Sequence, residues 1–193
     1  FSNDALTQKV VIRSMEEDTS ILGEEAFMEN VESEETSFGY YLGREFSAFD
    51  LDFGVRRDEV NRKSKFNSVA KDLDFNSTSF VLGFGFDLTS TTDLSFSFGS
   101  VERAPSSVEL FMNGEHAAVQ RNEIGDPTLK AEEARNIDLS LNFENDLIYG
   151  SINFFQNEVD NYIYRKDSGV KGSGEMKLEI ANFVQKDAEL DGY

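Results

Sequence analysis

Apolar and polar residues alternate with a period of two over most of the chain. The clearest run lies at 80–88, where Phe80, Leu82, Phe84, Phe86 and Leu88 alternate with small or polar residues. The same pattern recurs at 49–56, 93–99 and 137–144. Alternation of this kind predicts β-strands that have one apolar face and one polar face.

We predict eight strands, separated by connections of two lengths. The strand ranges are 7–15, 36–46, 49–62, 72–87, 93–103, 131–144, 147–164 and 179–190. The connections at 46–48, 88–92 and 145–146 are tight, and those at 16–35, 63–71, 104–130 and 165–178 are long and polar. Short turns that alternate with long loops are typical of bacterial outer-membrane barrels.

Two architectures fit alternating strands, and they differ in what the apolar face contacts. In a soluble β-sandwich, which could serve as an adhesin or binding module, the apolar face packs on a second sheet. In a membrane barrel it faces lipid, and the polar face lines the lumen. Strands of this length favour the barrel, because about 9–11 tilted residues cross a bilayer. The predicted lumen face carries Asp50, Asp52, Asp93, Asp138, Asn142 and Glu144.

Composition narrows the choice of partners. The chain has 18 Lys and Arg against 37 Asp and Glu, which gives a net charge of −19. Because affinity for phosphates comes from Lys and Arg, we expect no nucleic-acid partner. The absence of cysteine excludes disulfides and thiolate metal sites, and no apolar run reaches the length of a membrane-spanning helix.

The segment 16–35 is strongly acidic and has no basic residue. Such a run is typical of a solvated loop, and the alternative is that it recruits cations. Within it, Glu24 to Met28 is a candidate for docking on neighbouring loops.

His116, the only histidine, is the best candidate for a metal contact, together with Glu115. Imidazole is a common ligand of transition metals, and carboxylates from other loops could complete a site; the alternative is an exposed loop histidine without a ligand. A hydrolase is disfavoured, because no Gly-x-Ser-x-Gly elbow is present. We therefore expect a protein that is not an enzyme and holds no resident cofactor.

Two motifs resemble those of TonB-dependent outer-membrane receptors. Glu102-Arg103-Ala104-Pro105, followed by Glu109-Leu110-Phe111, resembles the Arg-Ala-Pro motif of that family. Gly125-Asp126-Pro127-Thr128-Leu129-Lys130-Ala131-Glu132 resembles its Asn/Asp-Pro-x-Leu-Lys-Pro-Glu motif, with Ala131 in place of the usual proline. The family-motif residues are Arg103, Ala104, Pro105, Glu109, Leu110, Asp126, Pro127, Leu129, Lys130 and Glu132.

The resemblance also implies a cargo. Asn113 to Ala118, ahead of Glu123, is most similar to the zinc-uptake subgroup, which makes zinc the predicted cargo. Haem receptors of the family also carry a histidine between the two motifs, so haem, or a ferric siderophore, is the alternative. The histidine-rich stretch of some zinc receptors is missing here.

The family fold is a barrel of about 22 strands around a plug. We therefore expect an all-β, antiparallel transmembrane β-barrel in which residues 1–193 are an internal part of the barrel domain and the plug domain is absent. The resemblance implies the outer membrane of a Gram-negative bacterium, contact with its lipid, and engagement of TonB through the missing plug.

Overall fold

The computed structural model describes residues 6–23 and 26–193. These residues form ten strands, one short α-helix and one 3-10 turn. The strands are β1 (Leu6–Thr19), β2 (Val31–Glu45), β3 (Asp50–Phe66), β4 (Val69–Thr89), β5 (Thr92–Arg103), β6 (Asn113–His116), β7 (Arg121–Ile124), β8 (Glu132–Glu144), β9 (Tyr149–Lys171) and β10 (Glu179–Gly192). The helix α1 is Ser107–Phe111, and the 3-10 turn is Ala117–Val119. No helix in the described ranges is long and apolar enough to cross a membrane.

All ten strands belong to one sheet, in the order β1-β2-β3-β4-β5-β8-β9-β10-β7-β6. Neighbouring strands pair antiparallel, except that β7 runs parallel to β10. The prediction of an all-β, antiparallel fold with eight long strands is confirmed, and the two additional strands form the short hairpin β6–β7. Within the described residues the sheet has two free edges, β1 and β6, so these strands alone do not close a barrel.

Pairing across the sheet separates the apolar face from the polar face. An apolar row runs through Leu42, Phe53, Leu82, Phe98 and Ile137 on five neighbouring strands. The adjacent row on the other face runs through Gly43, Asp52, Gly83, Ser97 and Asp138. A shift of one residue in any pairing would exchange the two faces, so the alternation in the sequence fixes the register.

Within the residues that the structure describes, no protein layer packs on the apolar face. Phe80 and Ile137 of this face are 38% and 43% exposed, and all the strands of the described residues lie in one sheet. The β-sandwich alternative required a second sheet and is therefore wrong. Large apolar surfaces are rarely left open to water, which fits a face that contacts lipid.

The hydrophobic core lies at the end of the sheet where the longer connections meet. It contains Met28, Val31, Leu110, Phe111, Leu129 and Ile163, with Ile21, Phe27, Phe66, Leu73, Phe75 and Phe183 packed around it. Arg62 and Asp52 are an even number of residues apart on the regular strand β3, so both side chains lie on the polar face. Arg62 donates from Nε to the Pro105 carbonyl at 3.0 Å, so the segment after β5 folds back over the polar face.

Several predicted connections are shorter than expected. The predicted acidic loop at 16–35 is reduced, because β1 extends to Thr19 and β2 begins at Val31. Glu24 and Glu25 lie outside the described residues, whereas Met28 docks in the core as the sequence suggested. Likewise β9 continues to Lys171, so only the half of the predicted loop 165–178 that lies at 172–178 remains. Cross-strand pairing extends these strands although their residues are polar.

The connection predicted as a long loop at 63–71 is instead a two-residue turn. β3 and β4 pair up to Phe66 and Val69, which leaves only Asn67 and Ser68 between them. Both turn residues have positive φ, 51° and 64°, as a type I′ hairpin requires. The predicted alternation of short and long connections is therefore wrong here, because the polar residues on both sides of the turn pair across the hairpin.

Replacing Ser68 by glycine should stabilise this hairpin. A residue with a Cβ in the left-handed region costs about 1 kcal/mol relative to glycine, so Ser68→Gly should raise the free energy of unfolding by roughly that amount. Urea unfolding of the lipid-reconstituted protein measures the change. Ser68→Ala is the matched control, since it removes the hydroxyl and keeps the Cβ; equal effects of the two variants would contradict the explanation.

Candidate functional site

Arg103 connects the two sequence motifs. It lies at the end of β5, and its guanidinium donates to both carboxylate oxygens of Glu109 on α1, at 2.9 and 3.1 Å. The same guanidinium donates to Glu132, at the start of β8, at 2.6 Å. The planar fork of arginine suits such contacts to several carboxylate oxygens. The two ends of the intervening loop are thus fixed to one cation.

The first motif builds a capped helical turn. Ser106 and Glu109 form a capping box, in which the Ser106 amide donates to Glu109 Oε2 at 2.7 Å and the Glu109 amide donates to Ser106 Oγ at 3.3 Å. This box satisfies amides that have no partner within the helix. Pro105 is fully buried, and Leu110 is 0% exposed in the core. The motif therefore anchors α1 on the sheet.

The second motif packs against the backbone of the first. The Gly125 amide donates to the Met112 carbonyl at 2.7 Å, and a Cβ on Gly125 would lie 2.7 Å from the carbonyl carbon of Leu110. Only glycine permits this approach. Asp126 Oδ1 accepts from the amide and the hydroxyl of Thr128, at 2.8 and 2.6 Å, which forms the turn before β8.

The remaining residues of the second motif join the loop to β10. Leu129 is 6% exposed in the core, and the backbone amide and carbonyl of Lys130 bond to the Gln185 side chain at 3.0 and 2.8 Å. The residues of both motifs thus line the joint at the two ends of the loop 104–131. They are Arg103, Ala104, Pro105, Glu109, Leu110, Asp126, Pro127, Leu129, Lys130 and Glu132.

Between the motifs, the hairpin β6–β7 carries His116. The Asn113 amide donates to the Phe27 carbonyl at 2.7 Å, and Asn113 Nδ2 donates to Asn67 Oδ1 of the β3–β4 turn at 2.9 Å. On the other side, β7 pairs with the first residues of β10. The hairpin is therefore held by three separate parts of the chain.

His116 lies in a defined environment rather than free in solvent. Its Nδ1 is 2.7 Å from Glu123 Oε2, and its ring centroid is 4.5 Å from that of Phe27. The other carboxylate oxygen of Glu123 accepts from Arg165 on β9. The His116 side chain is 27% exposed, whereas that of Glu123 is only 3% exposed. The imidazole is thus oriented by a buried carboxylate and an aromatic ring.

Glu115, the other predicted metal contact, does not converge with His116. Its carboxylate accepts from the backbone amides of Met176 and Leu178, at 3.0 and 3.3 Å. Successive residues of a strand point to opposite sides, which explains the separation. Within residues 6–23 and 26–193, no group of three or more His, Cys, Asp or Glu side chains is placed to hold a metal ion.

The sequence did not single out the residues that surround His116. Glu123 was visible only as the residue that follows the segment 113–118, and Arg165 only as part of a predicted loop. Phe27 belongs to the segment that the sequence predicts to dock on neighbouring loops, and this was the one indication that it would contact another part of the chain. These side chains meet through the fold-back of the loop 104–131, and no spacing in the sequence indicates that.

The predicted lumen residues make contacts along the polar face. Asp52 accepts a hydrogen bond from the Tyr41 hydroxyl, and Asp93 accepts from Asn142 Nδ2 at 2.8 Å. Asp138 accepts from Ser97 Oγ at 3.2 Å. This face is hydrophilic and hydrogen-bonded, as the alternation predicted.

Replacing Arg103 should loosen the whole loop 104–131. Arg103→Gln leaves Glu109 and Glu132 without their shared cation, and we expect a local destabilisation of about 1–2 kcal/mol, a modest value because the arginine is half exposed. Hydrogen–deuterium exchange of the lipid-reconstituted protein should show faster exchange in residues 104–131. Arg135→Gln is the control, since Arg135 pairs with Asp160 at 2.8 Å away from the joint; equal exchange in the two variants would contradict the role of Arg103.

The stability of α1 should fall in acid. Burial by itself would raise the pKa of Glu109, but hydrogen bonds from Arg103 and Ser106 outweigh burial and lower this pKa below its ordinary value. The stabilisation is therefore complete above the ordinary pKa of about 4.3 and is lost as the pH falls through the lower folded-state value. Protection factors of the α1 amides should drop over this pH range, and in Glu109→Gln this pH-dependent drop should be absent. An unchanged drop in that variant would assign the titration to another group.

The comparisons with known proteins agree with this architecture. The family described as TonB dependent receptor-like, beta-barrel matches residues 18–192. A double mutant of the Serratia marcescens hemophore receptor HasR, in complex with its hemophore HasA and heme, superposes with a TM-score of 0.67 at 16% identity, covering 98% of this chain and 38% of that one. The copper transporter OprC gives a TM-score of 0.67 at 18% identity, covering 84% and 25%.

A third structure, the siderophore receptor PirA from Pseudomonas aeruginosa, gives a TM-score of 0.58 at 14% identity and covers 96% of this chain. The present chain spans 38%, 25% and 42% of the three chains. At these identities the structures establish the fold alone. The family match extends over nearly the whole sequence, and the chain therefore belongs to the TonB-dependent receptor-like β-barrel family.

Proposed function

We propose that this chain is an internal part of an outer-membrane receptor that takes up a scarce metal-containing nutrient. Members of the family are transport receptors of the Gram-negative outer membrane. The unpartnered apolar face supports contact with lipid, and the hydrogen-bonded polar face supports an aqueous lumen. The family resemblance implies a plug domain, through which TonB would act.

The observation that carries the proposal is the single oriented imidazole of His116. It lies on a hairpin within the loop that folds over the polar face, and a buried carboxylate contacts its Nδ1. The arrangement leaves Nε2 as the nitrogen available to a metal. A carboxylate that supports a ligating histidine in this way is common in metal sites.

One nitrogen favours a cargo that brings its own ligands. Zinc needs three or four donors from the protein or from water, and Glu115 is occupied by two backbone amides. A haem, or another metal chelate with one open coordination position, needs only one donor from this loop. Haem-like chelates are therefore the cargo that the geometry favours, while zinc stays a prediction that requires further ligands.

His116→Ala should weaken binding of the cargo by the intact receptor at least tenfold. Isothermal titration of the detergent-solubilised receptor with haem, and separately with Zn²⁺, measures this loss. Val119→Ala, which alters an exposed side chain of the same hairpin, is the matched control and should bind like the parent receptor.

The two titrations separate the cargoes. Loss of haem affinity alone supports the chelate, and loss of Zn²⁺ affinity alone supports zinc. Unchanged affinity for both probes would remove His116 from the cargo site.

A further inference from the structure

We propose that Glu123 is the positioning residue of His116: its carboxylate accepts the Nδ1 proton and so directs Nε2 toward the cargo. The part of this inference that concerns the cargo rests on the proposed function. The orientation of the ring itself follows from contacts within the chain.

The first argument is the burial of Glu123. The residue is 2% exposed, and a carboxylate removed from water is costly unless charged or hydrogen-bonding groups satisfy it. Its two oxygens have one partner each, His116 Nδ1 at 2.7 Å and the Arg165 guanidinium. Arg165 therefore compensates the charge, and the imidazole supplies the second donor.

The second argument is the tautomer of the ring. A carboxylate can only accept hydrogen bonds, so the Nδ1 of a neutral imidazole must carry the proton in this contact. The lone pair is then on Nε2. Without Glu123 either nitrogen could be protonated, and only part of the population would present a ligating Nε2.

The third argument is the rigidity of the support. Glu123 lies on β7 and pairs in register with Ala181 of β10, which is 0% exposed. Phe27 covers the imidazole at 4.5 Å between ring centroids. The backbone of Glu123 is therefore held by the sheet, and Arg165 holds its carboxylate, which together fix the direction of Nε2.

The test uses the intact receptor, labelled with ¹⁵N-histidine, and the variant Glu123→Gln. The resonances that are missing from the spectrum of His116→Gln are those of the His116 ring. In the parent receptor, Nδ1 should be the protonated nitrogen and Nε2 the unprotonated one. In Glu123→Gln the side-chain amide can donate as well as accept, so the preference for the tautomer with the proton on Nδ1 should weaken. Haem affinity should then fall about tenfold.

Asp167→Asn is the matched control. Asp167 binds Arg121 of the same hairpin at 2.9 and 3.0 Å but has no contact with the imidazole, so this variant loosens the hairpin without changing the tautomer. A parent receptor with the proton on Nε2, or an unchanged tautomer in Glu123→Gln, would overturn the positioning role. A changed tautomer with unchanged haem affinity would confirm the positioning role and contradict His116 as a haem contact.

Discussion

The contact of one guanidinium with two carboxylates holds α1 at the joint, and the rest of the site is built on that position. Arg103 and Glu132 are backbone partners at the ends of β5 and β8, so the loop between them leaves and re-enters the sheet at one point, and the Arg103 guanidinium binds both Glu132 and Glu109 there. From this point the loop folds back over the polar face and buries Leu110 and Leu129 in the core. That fold-back brings the hairpin β6–β7 to the edge of β10, where Glu123 meets Arg165. Removing the Arg103 guanidinium would therefore disturb residues far from Arg103 in the sequence.

The same arrangement explains how so acidic a chain can bury carboxylates. Its net charge is −19, yet the acids that matter to the joint each have a specific partner. Glu109 has Arg103 and the capping box, Glu132 has Arg103, and Glu123 has Arg165 and the imidazole. Buried charges are tolerated when paired in this way, so the few arginines of the chain lie where they define structure.

Periodicity predicted the sheet because a strand with one apolar and one polar face alternates residue by residue. The rows through Phe53 and Asp52 could be assigned from the sequence, since a strand alternates its faces. The ends of the strands could not, because polar residues such as those near Asn67 are compatible with a loop or with a paired hairpin. The family motifs located the joint, but nothing in the sequence indicated that Arg103 binds both motifs. The surroundings of His116 were hidden for a similar reason, since Phe27, Glu123 and Arg165 come from three distant segments.

Close packing of the outer connections makes His116 part of a preorganised surface. A Cβ on Gly114 would lie 2.9 Å from the Cβ of Phe27, and one on Gly174 would lie 2.2 Å from the carboxyl carbon of Glu115. The hairpin is thus in direct contact with the connections on both sides, and at Gly114 the Cα and Cβ of Phe27 leave no room for a side chain. A ligand that meets such a surface loses little free energy in ordering the protein. If His116 binds the cargo as proposed, selectivity would depend on whether the cargo has an open coordination position where the fixed nitrogen points. One histidine would then suffice for a chelate and not for a bare ion.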